Sequence, residues 1–362
     1  MSAPQKAGWL LDTELEGSGT ACSTVRAVRI LVTGAAGMIG RKLSERLARD
    51  GTLAGEPIEH VVLADVVEPE RPDIADFEIA DFEVDTVVAN LAEPGVAEDL
   101  VSSRPDAVFH LAAVVSGEAE ADFEKGYRVN LDGTRFLLDA IRTVDQGYRP
   151  RVVFASSIAV FGAPFPDVIS DDYSTTPLTS YGTQKAIGEL LLSDYTRRGF
   201  LDGAGIRLPT ICVRPGTPNQ AASGFFSSII REPLNGREAV LPVPDVIRHW
   251  HASPRAAVGF LLHAATIASD TLGDRRCLTM PGVSVTVAEQ IAALRSVAGD
   301  AVVRLIRREP DETVLRIVAG WPRNFDAQRA HALGFRAESS FEEIIRVYVE
   351  DELGGHVPAV GS

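Results

Sequence analysis

Lysine is almost missing from this chain: only Lys6, Lys42, Lys125 and Lys185 occur in 362 residues. Basic charge is short as well, because 35 Lys and Arg face 50 Asp and Glu, a formal net charge of −15. That balance opposes docking on a phosphate backbone or an anionic bilayer, so nucleic-acid and membrane-surface partners are not expected. Cysteine is sparse too. Cys22, Cys212 and Cys277 form no CxxC pair and leave one thiol over however they are joined, which fits a reduced, cytoplasmic setting. No apolar run reaches the ~18 residues of a membrane span, and the most apolar helical stretch, 256–268, is interrupted by His263. His249 and His251 lack a third ligand at a sensible spacing, so no metal site is expected.

What is present is an ordinary globular composition, 45% hydrophobic and 23% charged, over a length of roughly two domains at about 150 residues each. Residues 1–27 read as a loose leader, since Asp12, Glu14 and Glu16 follow Trp9-Leu10-Leu11 and fit neither a secretory nor a transit segment. From Val28 onward, short apolar runs over 29–33, 60–64, 107–111, 151–155 and 205–213 alternate with amphipathic stretches over 38–49, 123–143 and 181–196. Strands separated by helices argue for βαβ units, and hence an α/β fold with a doubly wound, Rossmann-type parallel sheet covered on both faces. Beyond residue 213, proline and glycine cluster at 215–218, 233–236 and 242–244, which suggests the loops of a smaller lobe. A helix at about 253–268 is expected to return to the sheet, with further helices at 287–297 and 341–350.

Three groups of residues carry chemistry. The first strand runs into Gly34-Ala35-Ala36-Gly37-Met38-Ile39-Gly40, where glycines let backbone amides approach a pyrophosphate at a helix N-terminus. About 0.2 such spacings are expected by chance, so the preceding strand and Asp65 at the end of the next one decide in its favour. A carboxylate there can accept hydrogen bonds from a ribose 2′-hydroxyl and repels a 2′-phosphate, which points to NAD; the alternative role for Asp65 is a turn cap. In Tyr181-Gly182-Thr183-Gln184-Lys185 the tyrosine and lysine share a helical face, so the ammonium can lower the hydroxyl's pKa and reach a cofactor ribose. Six tyrosines and four lysines give about 0.07 such pairs by chance. Finally, the 151–155 strand ends at Ser156-Ser157, on the sheet edge where ligands of open α/β folds bind, and either hydroxyl can meet a reacting oxygen.

Together with His110-Leu111-Ala112-Ala113, Asn130-Leu131-Asp132-Gly133-Thr134 and Ser157 five residues before Gly162, this set resembles the extended branch of the short-chain dehydrogenase/reductase superfamily. The resemblance implies that Ser157 positions substrate, Tyr181 is the acid/base and Lys185 holds the nicotinamide ribose. It also implies cofactor contacts from Gly34, Gly37, Met38, Ile39, Gly40, Asp65, Ala112 and the Asn90-Leu91 position, where the family usually has an acid. A homodimer pairing the helices after Phe123 and Tyr181 is implied too. His110 reads as structural, and Asn130 as a residue that caps or kinks its helix. The division that follows is 28–213 for NAD, with 245–270 returning to it, then 214–244 and 271–352 as a substrate lobe, and 353–362 as a tail.

Ile158-Ala159 replaces the acid pair of dehydratases, so water elimination is not expected. Segments 207–243 and 248–260 resemble the D-erythronate dehydrogenases of this branch, a likeness extending over about 28–352. That implies NAD-dependent oxidation of the C2 hydroxyl of a four-carbon sugar acid to a 2-oxo acid. Arg248 is then the candidate clamp for the carboxylate, or a bridge between lobes. Ser116, Thr217 and Asn219 are candidates for the sugar-acid hydroxyls. Two rival readings are a nucleotide-sugar epimerase that keeps its NAD and a non-catalytic NAD-sensing protein.

Overall fold

The computed structural model describes residues 27–72, 82–145, 147–216 and 223–357. The leader other than Ala27, the tail from 358 onward, Cys22, Thr217 and Asn219 lie outside the described residues. Among the described residues seven strands precede residue 209: β1 (Val28–Thr33), β2 (Thr52–Leu53), β3 (Glu56–Asp65), β4 (Glu83–Val88), β5 (Ala107–His110), β6 (Arg151–Ser157) and β7 (Asp202–Leu208). Six follow it: β8 (Thr210–Ile211), β9 (Ala239–Leu241), β10 (Arg248–Ala252), β11 (Cys277–Thr279), β12 (Val283–Thr286) and β13 (Ile306–Arg308).

The main sheet runs β11-β7-β6-β5-β1-β3, with β4 on the outer flank of β3 and β2 paired antiparallel to its start. Its other pairings are parallel. Both faces are covered, which is why β1 and β5 are apolar almost without interruption. The period of two sorts their side chains. Ile30, Val32, Leu63 and Phe109 pack with the helices Met38–Asp50 and Pro254–Thr266, whereas Leu31, Val62, Val108, Val152 and Phe154 pack with Gly133–Val144 and Ser180–Arg197. Truncating a side chain as buried as Phe109 or Phe154 would cost about 3–5 kcal/mol.

The run 205–213 is not one strand. Pro209 has no N–H to give the ladder, and the chain leaves the main sheet there; β8 pairs instead with β10 in a three-stranded sheet, β12-β10-β8. Around that sheet Phe226, Ile229, Leu294 and Ile344 form a separate core. The boundary expected at 271 is crossed, however. β11 adds to the edge of the main sheet beside β7, where Gly205 is required because a Cβ on it would lie 2.5 Å from Cys277 Sγ. Ala327, Ala330 and Phe335 also pack in the sheet core. The stretch read as a helix over 123–143 is broken in its middle by a wide turn over Tyr127–Asp132. Asn130 sits there, its Oδ1 accepting from Val114 N–H at 2.8 Å and its Nδ2 donating to Gln184 Oε1 at 2.7 Å. The side chain thus ties the loop after β5 to the Ser180–Arg197 helix, and the helix widens to let it.

Candidate active site

The glycine turn is imposed by contacts. Gly34 has φ +76°, and a Cβ on it would lie 2.6 Å from Ala112 N; a Cβ on Gly40 would lie 2.3 Å from Gly34 O. The helix Met38–Asp50 that follows has Gly37 as its N-cap, no side-chain cap and no acid in its first turn. Its first amides are therefore left for an anion, as a pyrophosphate requires. Asp65 ends β3 beside this turn, its carboxylate accepting from Ala36 N–H at 2.9 Å and from Val66 N–H at 2.6 Å. It caps the turn while standing where a ribose would come. An NAD-shaped group fits this cradle. Asn90 is spent on a local turn, accepting from Ala92 N–H at 3.1 Å and donating to Glu93, and the Leu91 side chain is buried.

Beyond the turn lies a cavity of about 660 Å³, lined by Gly37, Met38 and Ile39, by Ser116, and by Ser157, Tyr181 and Lys185. Its volume suits a small-molecule site. β6 delivers two serines to opposite faces. Ser156 Oγ donates to Glu189 Oε1 at 2.5 Å, inside the protein, whereas Ser157 Oγ accepts from Ala159 N–H at 3.1 Å and lines the cavity with Tyr181. Tyr181 opens the Ser180–Arg197 helix, capped by Thr179, whose Oγ1 accepts from Gly182 N–H at 3.0 Å. Burial raises the Tyr181 pKa, opposed by the Ser157 hydrogen bond and then by the charge of Arg214. The cation expected to act on this hydroxyl was Lys185. Its ammonium instead lies 5.8 Å from the centre of the Tyr181 ring and 4.9 Å from that of Phe154. Burial pushes Lys185 down to about 8, with Glu189 opposing. Glu189 in turn is held by Arg207, Nη2 to Oε2 at 2.7 Å.

His110 supports the floor. Thr134 Oγ1 donates to Asn130 O at 2.7 Å, so His110 Nε2–H donates to Thr134 at 2.9 Å and Nδ1 accepts from Thr33 Oγ1 at 2.8 Å. Burial and then Lys185 hold its pKa down to about 3, so the ring is a neutral structural spacer.

Arg248 does not reach the cavity. It donates to Ser284 O at 2.8 Å and pairs with Glu289 at 3.1 Å. Its neighbour His249 faces the cavity instead, because side chains alternate along β10. His249 Nδ1–H donates to Pro322 O at 2.9 Å and Nε2 accepts from Thr210 Oγ1 at 2.6 Å; burial lowers its pKa to about 4. The guanidinium groups that do line the cavity are Arg41, beside the glycine turn and 3.8 Å from Glu70, and Arg214 and Arg231 on the opposite side. Sequence reasoning passed over the last two within the 207–243 segment. The available signal was an arginine closing the apolar run Ile211-Cys212-Val213, where a cation has no solvent to face.

A doubly wound sheet with a glycine turn and a cavity at its carboxyl edge is the architecture of an NAD-dependent oxidoreductase. The chain belongs to the NAD dependent epimerase/dehydratase family, whose model matches residues 30–253. It is 50% identical over 328 residues to a D-erythronate dehydrogenase of Cupriavidus necator, covering 90% of this chain and 98% of the relative. It is 40% identical to a D-erythronate dehydrogenase of Haemophilus influenzae, covering 90% of this chain and all of the relative. A crystal structure described as a nucleoside-diphosphate-sugar epimerase from Agrobacterium tumefaciens superposes with a TM-score of 0.88 at 64% identity, over 92% of this chain and 96% of that one. Among the described residues no helix is long and apolar enough to cross a membrane.

Proposed function

We propose that this protein oxidises the C2 hydroxyl of a four-carbon sugar acid, D-erythronate, to the 2-oxo acid by a Ser157, Tyr181 and Lys185 mechanism. The observation carrying the reading is that one cavity collects those three side chains next to the glycine turn, in a chain 50% identical to a D-erythronate dehydrogenase. NAD, when bound, supplies the acceptor for the hydride that leaves C2. Tyr181 reacts as the phenolate: its Oη takes the hydroxyl proton and becomes the phenol, so the carbinol loses two electrons and two hydrogens and becomes a carbonyl. Ser157 Oγ hydrogen-bonds the same oxygen and holds it against the phenol. Lys185 holds the nicotinamide ribose, and its charge offsets the proton transfer.

Epimerase chemistry is the second reading, favoured by the description of the Agrobacterium tumefaciens structure. An epimerase returns its hydride, whereas a dehydrogenase releases NADH. Spectrophotometry at 340 nm with D-erythronate, and separately with UDP-sugars, decides between them; accumulation of NADH is expected with the acid alone. Tyr181→Phe is expected to keep NAD affinity and to lose at least about two orders of magnitude in kcat. Near-normal kcat in that variant removes Tyr181 from the proton transfer.

A further inference from the structure

On the small-lobe wall of the cavity, Arg214 is fixed along one edge. Its Nε donates to Ile211 O at 3.0 Å and its Nη2 to Ser223 Oγ at 2.9 Å, while its own carbonyl accepts from Arg231 Nη1 at 2.8 Å. A guanidinium has five N–H donors, so three remain. Among the described residues no carboxylate pairs with it, although the neighbouring buried arginines are paired, Arg231 with Glu232 and Arg207 with Glu189. A desolvated cation left without an anion, in the wall of a cavity it lines, is the mark of a ligand subsite. We propose that Arg214 binds the substrate's carboxylate and so selects 2-hydroxy acids over neutral polyols and nucleotide sugars.

The inference rests on the dehydrogenase reading above for its substrate. Arg214 and Tyr181 line one cavity and act on each other electrostatically. A 2-hydroxy acid carries both groups such a cavity can receive, a hydroxyl for Tyr181 and an anion for Arg214. A diphosphate is the other anion this chemistry would receive. It calls for a second cation beside Arg214, but Arg231 is neutralised by Glu232, and Arg41, the other arginine of the lining, stands at the glycine turn and pairs with Glu70 at 3.8 Å.

Isothermal titration of the NAD-loaded protein with oxalate, a carboxylate that cannot lose hydride, tests the subsite without turnover. Oxalate affinity is expected to fall roughly ten- to hundredfold in Arg214→Met, the loss of a charge-assisted pair. Arg214→Lys, which keeps the charge and loses the fork, should fall less, and it stands in if the methionine variant does not fold. UDP should bind more weakly than oxalate and be indifferent to either change. Arg248→Met should titrate like the parent. Oxalate that binds both proteins equally, or neither, overturns the proposal, as does UDP binding tighter than oxalate. A parent that binds oxalate through Arg214 yet makes no NADH from D-erythronate refutes the proposed function and leaves the subsite standing.

Discussion

Lys185 is a buried ammonium that no salt bridge among the described residues neutralises, and such a group weakens the fold that holds it. Its pKa falls from the ordinary 10.5 to about 8 on folding. Between those values the unfolded chain binds more protons, so this lysine's contribution to stability rises with pH; the penalty is fully present below pH about 8. Lys185→Met is therefore expected to abolish turnover while raising Tm at pH 7, with the difference from the parent narrowing toward pH 10.5. Calorimetry at the two pH values checks it, and an unchanged midpoint at pH 7 shows that the lysine carries no burial cost. Tyr181, Lys185 and Ser157 were legible in the sequence because their signal is local: a four-residue helical spacing and a strand end. Arg214 left only a local trace, a charge closing the apolar run 211–213, because being unpaired is a property of everything folded around it. Arg248, read as a carboxylate clamp or a bridge between lobes, stands one position from the cavity-facing His249. On a strand with a period of two, that step turns a residue from the cavity to the opposite face.

Two glycines show how far a backbone element constrains its residues. Gly34 combines φ +76° with a virtual Cβ 2.6 Å from Ala112 N, so Gly34→Ala must displace either the turn or the loop after β5. Gly259 lies within the helix Pro254–Thr266 with nothing within 4 Å of its virtual Cβ. Gly34→Ala is expected to lower both Tm and NAD affinity, the latter at least about tenfold, while Gly259→Ala should gain about 0.5–1 kcal/mol from helix propensity. Urea denaturation and fluorescence titration with NAD measure the pair; similar effects at both sites would mean the turn has slack that its contacts do not show. Long, strongly patterned elements were readable at this scale, and the Met38–Asp50 and Ser180–Arg197 helices start and stop within a residue or two of expectation. Other features were not. The wide turn at Asn130 is set by bonds to Val114 and Gln184, distant in sequence, and β4 carries Glu83 and Asp85 on a sheet edge, so only part of it is apolar.

At the scale of the whole molecule, the parallel sheet was foreseeable from alternating strands and helices, but the cavity was not. Its wall is drawn from segments as far apart as Gly37, Ser116, Tyr181, Arg214 and Trp321, which only the closed chain brings together. The same closure sets a local charge against the global one. The chain carries −15 in total, yet the cavity presents Arg214 without an anion. Which field a sugar-acid anion meets depends on the Debye length, about 30 Å at 0.01 M salt, about 8 Å at 0.15 M and about 3 Å at 1 M. In dilute buffer the anion approaches against the whole acidic surface; at 0.15 M that repulsion is screened while the guanidinium, in direct contact, still acts. With NAD saturating, kcat/KM for the acid is therefore expected to rise several-fold from 0.01 to 0.15 M salt and to fall again toward 1 M, where the contact itself is weakened. Initial rates across that range, with kcat taken at saturating acid as the internal control, test the balance. A decline from the lowest salt onward means that the cavity's cations draw the substrate in from a distance and that the acidic surface is irrelevant to its approach.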